Sequence, residues 1–250
     1  MDILFVRNAT ILIYLQSKKI LVDPVFSDLD ELPSIKSFGC DRKNPLIRLK
    51  TAIGELVDVD SVFVTHLHID HFDIAARKLL KKSTKIFCQP QDTKAIEEMG
   101  FFDVTPLDEQ IIWNNLKISR VDGKHGEGDV LEKMGKTSGF VLQDSIGDTL
   151  YIAGDTIFYD GVKETIEKFK PNTIVLNAGA ATFPIGRPVT MNETDIASVI
   201  KAAPDSKIIA IHMDAWNHCM LSKKELSKLL SSNGIDKNVI IPDENTLIHL

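Results

Sequence analysis

Three of the seven histidines in this chain fall within six residues, directly after an apolar run at residues 61–65. In an extended segment residues i and i+2 point to the same side, so His66 and His68 can face a single metal ion. Asp70 and His71 follow where the chain turns, and they can supply an oxygen and a nitrogen ligand to a second ion beside the first. Such donors suit Zn, Fe, Mn or Co. The spacing therefore predicts a metal site.

The competing interpretation of a histidine at a strand end is an ordinary solvated or hydrogen-bonded residue. A cluster of three histidines and one aspartate beside a buried strand is different, because each unsatisfied polar group there costs roughly 2–7 kcal/mol. Pairing or metal binding removes that cost. We therefore favour metal binding, the more so because further donors occur downstream.

Three more candidate donors follow other apolar runs, each where a strand is expected to end. They are His125, in a glycine-rich loop after residues 116–121; Asp155, after residues 149–153; and His212, after residues 206–211. Each alone is a weak signal, and a carboxylate after a strand more often caps a helix. Together they predict donors at successive strand–loop junctions along one rim of the molecule.

The elements that must position these residues are short strands alternating with helices. Apolar runs at 9–15 and 19–23 predict a hairpin, and residues 25–50 lack periodicity and predict a long surface excursion. Helices are predicted at residues 74–82, 91–99, 161–170 and 223–230, and another that Asn192 caps. This order predicts two sheets packed face to face with helices outside, in a single domain that covers residues 1–250.

The composition excludes several classes of function. The 250 residues include 29 basic and 35 acidic side chains, so the formal net charge is −6. Nucleic-acid or membrane-surface binding needs clustered Lys and Arg, so we expect neither partner. Three widely spaced cysteines form neither a disulfide framework nor a zinc ribbon. No signal peptide or membrane-spanning run is recognisable, and we expect a soluble cytoplasmic protein.

The string Thr65-His66-Leu67-His68-Ile69-Asp70-His71, with His125, Gly154-Asp155-Thr156 and His212 downstream, resembles the binuclear metallo-β-lactamase-fold hydrolases. The resemblance extends over nearly the whole chain. It includes Asn8-Ala9-Thr10, Leu21-Val22-Asp23-Pro24, Asn177-Ala178-Gly179-Ala180-Ala181 and the segment from His212 to Cys219. These segments look like the compact bacterial branch of Zn-dependent hydrolases, which is similar to the ascorbate-6-phosphate lactonases and more distantly to the phospholipase D-type members.

The resemblance implies an α+β fold, the four-layer αββα sandwich, with the site at the sheet edges. It assigns a first metal to His66, His68 and His125, a second to Asp70, His71 and His212, and a bridging role to Asp155. It thus implies two divalent ions, with zinc as the first choice and manganese or iron as alternatives. β-Lactamases of this fold do not keep a bridging aspartate at the position of Asp155, so antibiotic hydrolysis is not expected.

The mechanism expected from such a site uses a metal-bridging hydroxide, because two ions that share a water lower its pKa from about 15.7 toward neutrality. Asp70 is the candidate for orienting this nucleophile and accepting its proton. His218 is a second catalytic candidate, as an orienter, a proton donor or a substrate contact, and a solvated loop histidine is an equal alternative. Arg187 is a candidate substrate contact for a phosphate or carboxylate, although an ordinary surface arginine is the simpler interpretation.

The first functional hypothesis is a metal-dependent hydrolase of a small ester, lactone or phosphodiester. The alternative is a metal-containing ligand-binding or sensor protein without turnover. Seven donors exceed the four that a structural zinc needs, which favours the enzyme. An iron-dependent oxidoreductase matches the pattern poorly. The expected partner is a small molecule; the resemblance permits a homo-oligomer, which no sequence feature requires.

Overall fold

The computed structural model describes all 250 residues. Its fourteen strands are β1 (Asp2–Arg7), β2 (Thr10–Leu15), β3 (Lys18–Val22), β4 (Ser61–Val64), β5 (Lys85–Cys88), β6 (Val104–Pro106), β7 (Gln110–Trp113), β8 (Leu116–Gly123), β9 (Thr137–Gln143), β10 (Thr149–Ile152), β11 (Thr173–Asn177), β12 (Lys207–Ile211), β13 (Val239–Ile240) and β14 (Thr246–His249). Its seven α-helices are α1 (Ile53–Val57), α2 (Ile74–Leu79), α3 (Thr93–Glu98), α4 (Asp129–Met134), α5 (Asp160–Phe169), α6 (Glu193–Ala202) and α7 (Lys223–Ser232), and a 3₁₀ turn at Pro90–Asp92 precedes α3.

The strands form two mixed sheets of seven strands each. Their spatial orders are β14-β1-β2-β3-β4-β5-β6 and β13-β12-β11-β10-β9-β8-β7. In each sheet one half is antiparallel and the other parallel, since β3 to β6 pair in parallel, as do β10 to β13. Parallel neighbours send their carboxyl ends to the same edge of a sheet, where α/β proteins commonly place their sites. The loops that follow β10 and β12 therefore leave one common edge.

Three apolar clusters divide the molecule into four layers. One contains 20 buried residues from both sheets, including Phe5, Phe63 and Phe140, and fills the space between the sheets. A second, of 19 residues, packs α5, α6 and α7 onto the outer face of the second sheet. A third, of 15 residues, packs α1, α2 and α3 onto the outer face of the first. This order of layers confirms the predicted αββα sandwich.

Two of the longer helices begin with capping boxes, which satisfy N–H groups that the first turn leaves unpaired. The side chain of Asn192, predicted as a cap, accepts from the N–H of Asp195 at 3.0 Å, and the Asp195 carboxylate accepts from the N–H of Asn192 at 3.3 Å. Ser222 and Glu225 do the same at α7. None of the helices combines the length and the apolar character that crossing a bilayer requires.

The elements that the sequence patterns did not reveal include β1, α1 and α4. Helix α1 has only five residues, and α4 buries none of its side chains, so neither presents an apolar period that the sequence could reveal. Strand β1 is a short apolar run that pairs with β2 on one side and β14 on the other. The predicted hairpin is present as β2 and β3.

The excursion at residues 25–50 contains no helix and no regular strand, and it is anchored at both ends rather than lying freely on the surface. The guanidinium of Arg7, which is fully buried, donates to the carbonyl oxygens of Val25, Ser27 and Ile47 at 3.1, 2.8 and 2.9 Å. Hydrogen bonds from a charged donor are roughly twice as strong as neutral ones. Arg7 therefore joins both ends of the excursion to β1.

Candidate metal centre

All seven predicted donor residues lie in loops that follow strands. Residues 65–71 follow β4, His125 follows β8, Asp155 follows β10 and His212 follows β12. At two junctions the backbone turns through the left-handed region, at Gly154 (φ 65°) and at His212 (φ 64°). A Cβ on Gly154 would lie 2.6 Å from the carbonyl oxygen of Ser138, so the turn before Asp155 requires glycine. These loops bring the seven side chains together at one end of the sandwich.

We call His66, His68 and His125 cluster 1. Nε2 of His66 lies 2.9 Å from Nδ1 of His68, and the His125 ring centroid lies 5.5 and 5.3 Å from those of the other two rings. One nitrogen of each ring lies within 4.8 Å of the others. Three nitrogens at this spacing can hold one divalent ion and leave a position open.

We call Asp70, His71, Asp155 and His212 cluster 2, and all four are buried. Nε2 of His71 lies 3.2 Å from both Nε2 of His212 and Oδ2 of Asp155. Oδ2 of Asp70 lies 3.4 Å from Nε2 of His212. Two carboxylates and two imidazoles converging in this way can hold a second divalent ion.

Asp155 lies between the two clusters. Its Oδ2 is 3.5 Å from Nε2 of His125 and 4.0 Å from Nε2 of His66, in addition to its contact with His71. The side-chain amide of Asn177 donates to the other oxygen at 2.6 Å and orients the carboxylate. One carboxylate can therefore serve both clusters.

The ring nitrogen that points away from the centre is held by a polar partner in four of the five histidines. The partners are the Thr65 hydroxyl for His66 (3.0 Å), the Asp23 carboxylate for His71 (2.7 Å), the Val189 carbonyl for His125 (2.8 Å) and the Cys219 thiol for His212 (3.4 Å). Such partners fix the tautomer and aim the other nitrogen at a metal. The donor chemistry and these outer contacts fit divalent ions.

Asp23 is a residue of the site to which the sequence analysis gave no role. Besides holding Nδ1 of His71, its carboxylate accepts from the Thr65 N–H at 2.8 Å and the Thr65 hydroxyl at 2.7 Å. The available signal was an acidic residue at the end of a strand, followed by Pro24. Its role depends on the parallel pairing of β3 with β4, which no local pattern reveals.

Burial and charge act in opposite directions on the pKa values in cluster 2. Burial favours the protonated carboxyls, but His71 and His212 lower the pKa of Asp70 and Asp155 well below the usual range. Burial disfavours the imidazolium of His71, but Asp155, Asp23 and Asp70 raise its pKa to about 10. The carboxylates therefore stay ionised, and a bound dication would replace the protons that the imidazoles otherwise retain.

Cluster 1 behaves differently because burial dominates there. Burial lowers the pKa of His66 well below its ordinary value and also lowers that of His125. Both imidazoles are therefore neutral near pH 7, which is the form that binds a metal.

A cavity of about 240 Å³ opens onto both clusters. Its walls are formed by Ile35, His68, Ile69, Asp70, His125, Met134, Asp155, Phe183, Val189 and His218. Half of these side chains are apolar, and none is a lysine or an arginine. A larger open groove of about 710 Å³ lies between β8 and α5, and it contains none of the seven donors. The smaller cavity is therefore the one that can bring a molecule to the clusters.

The two remaining predicted site residues differ in position. His218 is only 4% exposed, so it is not a solvated loop histidine; its Nε2 lies 3.6 Å from Oδ2 of Asp70, and burial lowers its pKa to about 4. The Arg187 side chain is 85% exposed, lies 3.8 Å from Glu127 and does not line the cavity. The structure brings His218 to the site and leaves Arg187 at the surface.

Two mixed sheets with helices on both outer faces, and His and Asp donors at the strand ends, define the metallo-β-lactamase fold. The family model described as the beta-lactamase superfamily domain matches residues 18–213. The chain belongs to this family of metal-dependent hydrolases, as the resemblance in its sequence implied.

Similar proteins match over almost the whole chain. This chain is 36% identical to UPF0173 protein YddR of Bacillus subtilis over 249 residues, and the match covers 98% of each protein. The crystal structure of a possible metal-dependent hydrolase from Veillonella parvula superposes with a TM-score of 0.96 at 30% identity, covering 100% of this chain and 99% of that one. An isothiocyanate hydrolase from Delia radicum gut bacteria gives the same identity, coverage and TM-score.

Proposed function

We propose that this chain is a binuclear metal-dependent hydrolase whose substrate is small and uncharged. The observation that carries the proposal is the cavity, in which the donor clusters face five apolar side chains and no lysine or arginine. Esters and lactones suit such walls. A phosphodiester, the third class that the sequence left open, would have its negative charge met by the bound ions alone, because the walls offer it no cationic side chain.

In this proposal cluster 1 holds one ion, cluster 2 holds the other, and Asp155 reaches both. When bound, such ions lower the pKa of a coordinated water from about 15.7 toward 7 and polarise the bond under attack. Zinc is our first choice because imidazole nitrogen and carboxylate oxygen are among its usual ligands. The same donors accept manganese or iron, depending on availability.

Asp70 and His218 carry the proton transfers in this proposal. Oδ2 of Asp70, a residue that lines the cavity, accepts a proton from the attacking water. Nε2 of His218 is 3.6 Å away, and a neutral imidazole there can take that proton over and deliver it to the leaving group. The apolar residues of the cavity wall exclude other water from the reacting group.

An isothiocyanate suits this cavity, because the molecule carries no net charge and its central carbon is electrophilic. The neighbour from Delia radicum gut bacteria, at 30% identity over the full chain, is an isothiocyanate hydrolase. In the balanced reaction, R–N=C=S + H₂O gives R–NH₂ + O=C=S. The water oxygen bonds to carbon, the carbon–nitrogen bond breaks, and both protons end on nitrogen. We therefore place isothiocyanates first among the substrates to test, ahead of lactones and esters.

The test compares uncharged and anionic substrates on protein of known metal content. Elemental analysis gives metal per chain, and rates are then measured with methyl isothiocyanate, γ-butyrolactone, p-nitrophenyl acetate and bis(p-nitrophenyl) phosphate. We expect hydrolysis of at least one uncharged compound, lost in the Asp155→Ala variant, and none of the phosphodiester. Preference for the phosphodiester would contradict the substrate class. Full metal occupancy without any turnover would contradict the enzyme and favour a sensor protein.

A further inference from the structure

Residues 33–45, which we call the strap, pass beside the cavity without forming a helix or a regular strand. An isolated backbone bridge between Leu32 and Asn44 closes the strap into a loop. Its contribution to the cavity wall is Ile35, whereas most of residues 36–43 are exposed. The position of this wall residue therefore depends on contacts that the strap makes elsewhere.

One side chain, that of Asn217, provides most of those contacts. Its Oδ1 accepts from the N–H of Ile35 at 2.9 Å and from Nδ2 of Asn44 at 2.8 Å. Its Nδ2 donates to the carbonyl oxygens of Ile35 at 2.7 Å and Cys40 at 2.8 Å. Both ends of the amide are thus saturated by the strap, and both N–H and C=O of Ile35 are held by one residue.

The backbone of Asn217 is engaged as well. Its N–H donates to Oδ1 of Asn44 at 2.9 Å, and Asn217 and Asn44 are almost fully buried. A Cβ on Gly39 would lie 1.9 Å from the Asn217 carbonyl oxygen, so the strap backbone approaches there as closely as glycine allows. These contacts fix the strap against the segment that leads directly into His218.

Apolar packing lies beneath the same contacts. The buried indole of Trp216 packs with Val25 and Leu32, and Ile35 and Ile69 pack against that group. Ile35 and Ile69 are both cavity wall residues. The strap, the indole and two apolar residues of the cavity wall are therefore one packed unit.

We propose that Ile35 limits the size of the substrate and that Asn217 is the positioning residue that holds Ile35 in the wall. The inference rests on the proposed function for the kind of molecule that enters the cavity. It goes further because it assigns size selectivity to two residues that do not belong to the donor clusters. Truncating Ile35 enlarges the cavity, and releasing the strap from Asn217 has the same consequence without changing the wall residue.

Size selectivity is measured by binding rather than by turnover, so failure of the hydrolase proposal leaves this test intact. The probes are acetohydroxamic and benzohydroxamic acid, whose hydroxamate chelates a divalent metal while the methyl or phenyl group occupies the cavity. Dissociation constants are obtained by calorimetry on zinc-loaded protein. We expect Ile35→Ala to change the ratio of the two dissociation constants by about 10-fold or more in favour of tighter binding of the phenyl compound. A change of this size is typical of a single pocket contact.

The Asn217→Ala variant is expected to shift the same ratio in the same direction with unchanged metal content. Its strap is also expected to be cleaved faster by trypsin, after the exposed Lys36, Arg42 or Lys43, because local opening exposes the backbone. Asn172→Ala is the matched control. That side chain accepts from the N–H of Thr149, away from the strap, so its loss should leave strap cleavage and the ratio unchanged.

Each of the two variants has one outcome that overturns the proposal. One is an unchanged ratio in Ile35→Ala, a variant that removes no hydrogen bond and so keeps the test valid if Asn217→Ala does not fold. The other is equal strap cleavage in folded Asn217→Ala and Asn172→Ala. Absence of binding of both hydroxamates to the zinc-loaded protein would also contradict it, because the cavity would then not present the metal to a ligand.

Discussion

The two donor clusters lie side by side but differ in charge and in what surrounds them. Cluster 1 consists of three imidazoles, of which that of His68 is partly exposed. The carboxylate near it is that of Asp155, which belongs to cluster 2. Cluster 2 is fully buried, contains two carboxylates and is backed by a third, Asp23. A dication is attracted more strongly to buried negative charge than to neutral nitrogen. We therefore expect cluster 2 to bind its ion more tightly and cluster 1 to depend on Asp155.

The largest expected effect is that of Asp155→Ala, because this substitution removes the one carboxylate that both clusters share. Metal content should fall at both clusters and hydrolysis should fall by more than about 100-fold, since even the partners of ligands cost about 10–100-fold. Elemental analysis and initial rates provide the measurement. The exposed Asp205→Ala serves as control. Retention of both ions would show that the clusters are independent.

Removing most of cluster 1 tests whether cluster 2 stands alone. In the double variant His66→Ala and His68→Ala, two of three imidazoles are lost and metal content should fall by about half, because a stable site needs three or more ligands. Chelator titration of the unaltered protein should likewise remove one ion before the other. Loss of both ions together in the double variant would contradict the expected order of affinity.

A smaller effect is expected from Asp23→Asn, which keeps the shape of the side chain and its contact with Thr65 but removes the charge behind His71. The affinity of cluster 2 for zinc should fall by about 10–100-fold, as for other partners of metal-binding histidines. Competition with a fluorescent zinc chelator measures it. If cluster 1 weakens instead, the assignment of Asp23 to cluster 2 is wrong.

Cys219→Ala should weaken cluster 2 less than Asp23→Asn does. The thiol lies 3.4 Å from Nδ1 of His212, and sulfur is a weak hydrogen-bond partner. The affinity loss should stay below about 10-fold, the lower end of the effect of such partners. The same chelator competition compares the two variants, and an equal or larger loss for Cys219→Ala would reverse the ranking.

The smallest effect is expected from Arg187→Ala. This side chain is exposed and faces Glu127 rather than the cavity. Rates on uncharged substrates should be unchanged, and the free energy of unfolding should change by no more than about 0.5 kcal/mol. Urea denaturation and initial rates test this, and a large rise in KM would restore Arg187 as a substrate contact.

The fold class was predictable because buried strands of a sandwich produce apolar runs that are visible in the sequence. The runs before His66, Asp155 and His212 are of this kind, and their ends are where the structure places the donor residues. Elements such as α1 and α4 left no such signal, because α1 has only five residues and α4 buries no side chain that could form an apolar period.

The cavity and the outer contacts were not predictable in the same way. Asp23 contacts His71, which is 48 residues away in the sequence, and Asn217 contacts Ile35, which is 182 residues away. Arg187 and Phe183 belong to the same loop, yet only Phe183 faces the cavity. Local sequence patterns carry no information on which of two loop residues faces inward, since that depends on packing against distant segments.

The amino-acid sequence thus established the αββα architecture and a candidate donor set, because strand periodicity and ligand spacing are local properties of the chain. The three-dimensional packing established the distances within the clusters, which residues orient the imidazoles and which apolar side chains close the cavity. These features arise from contacts between residues far apart in sequence, where distances of a few tenths of an ångström decide whether two groups interact.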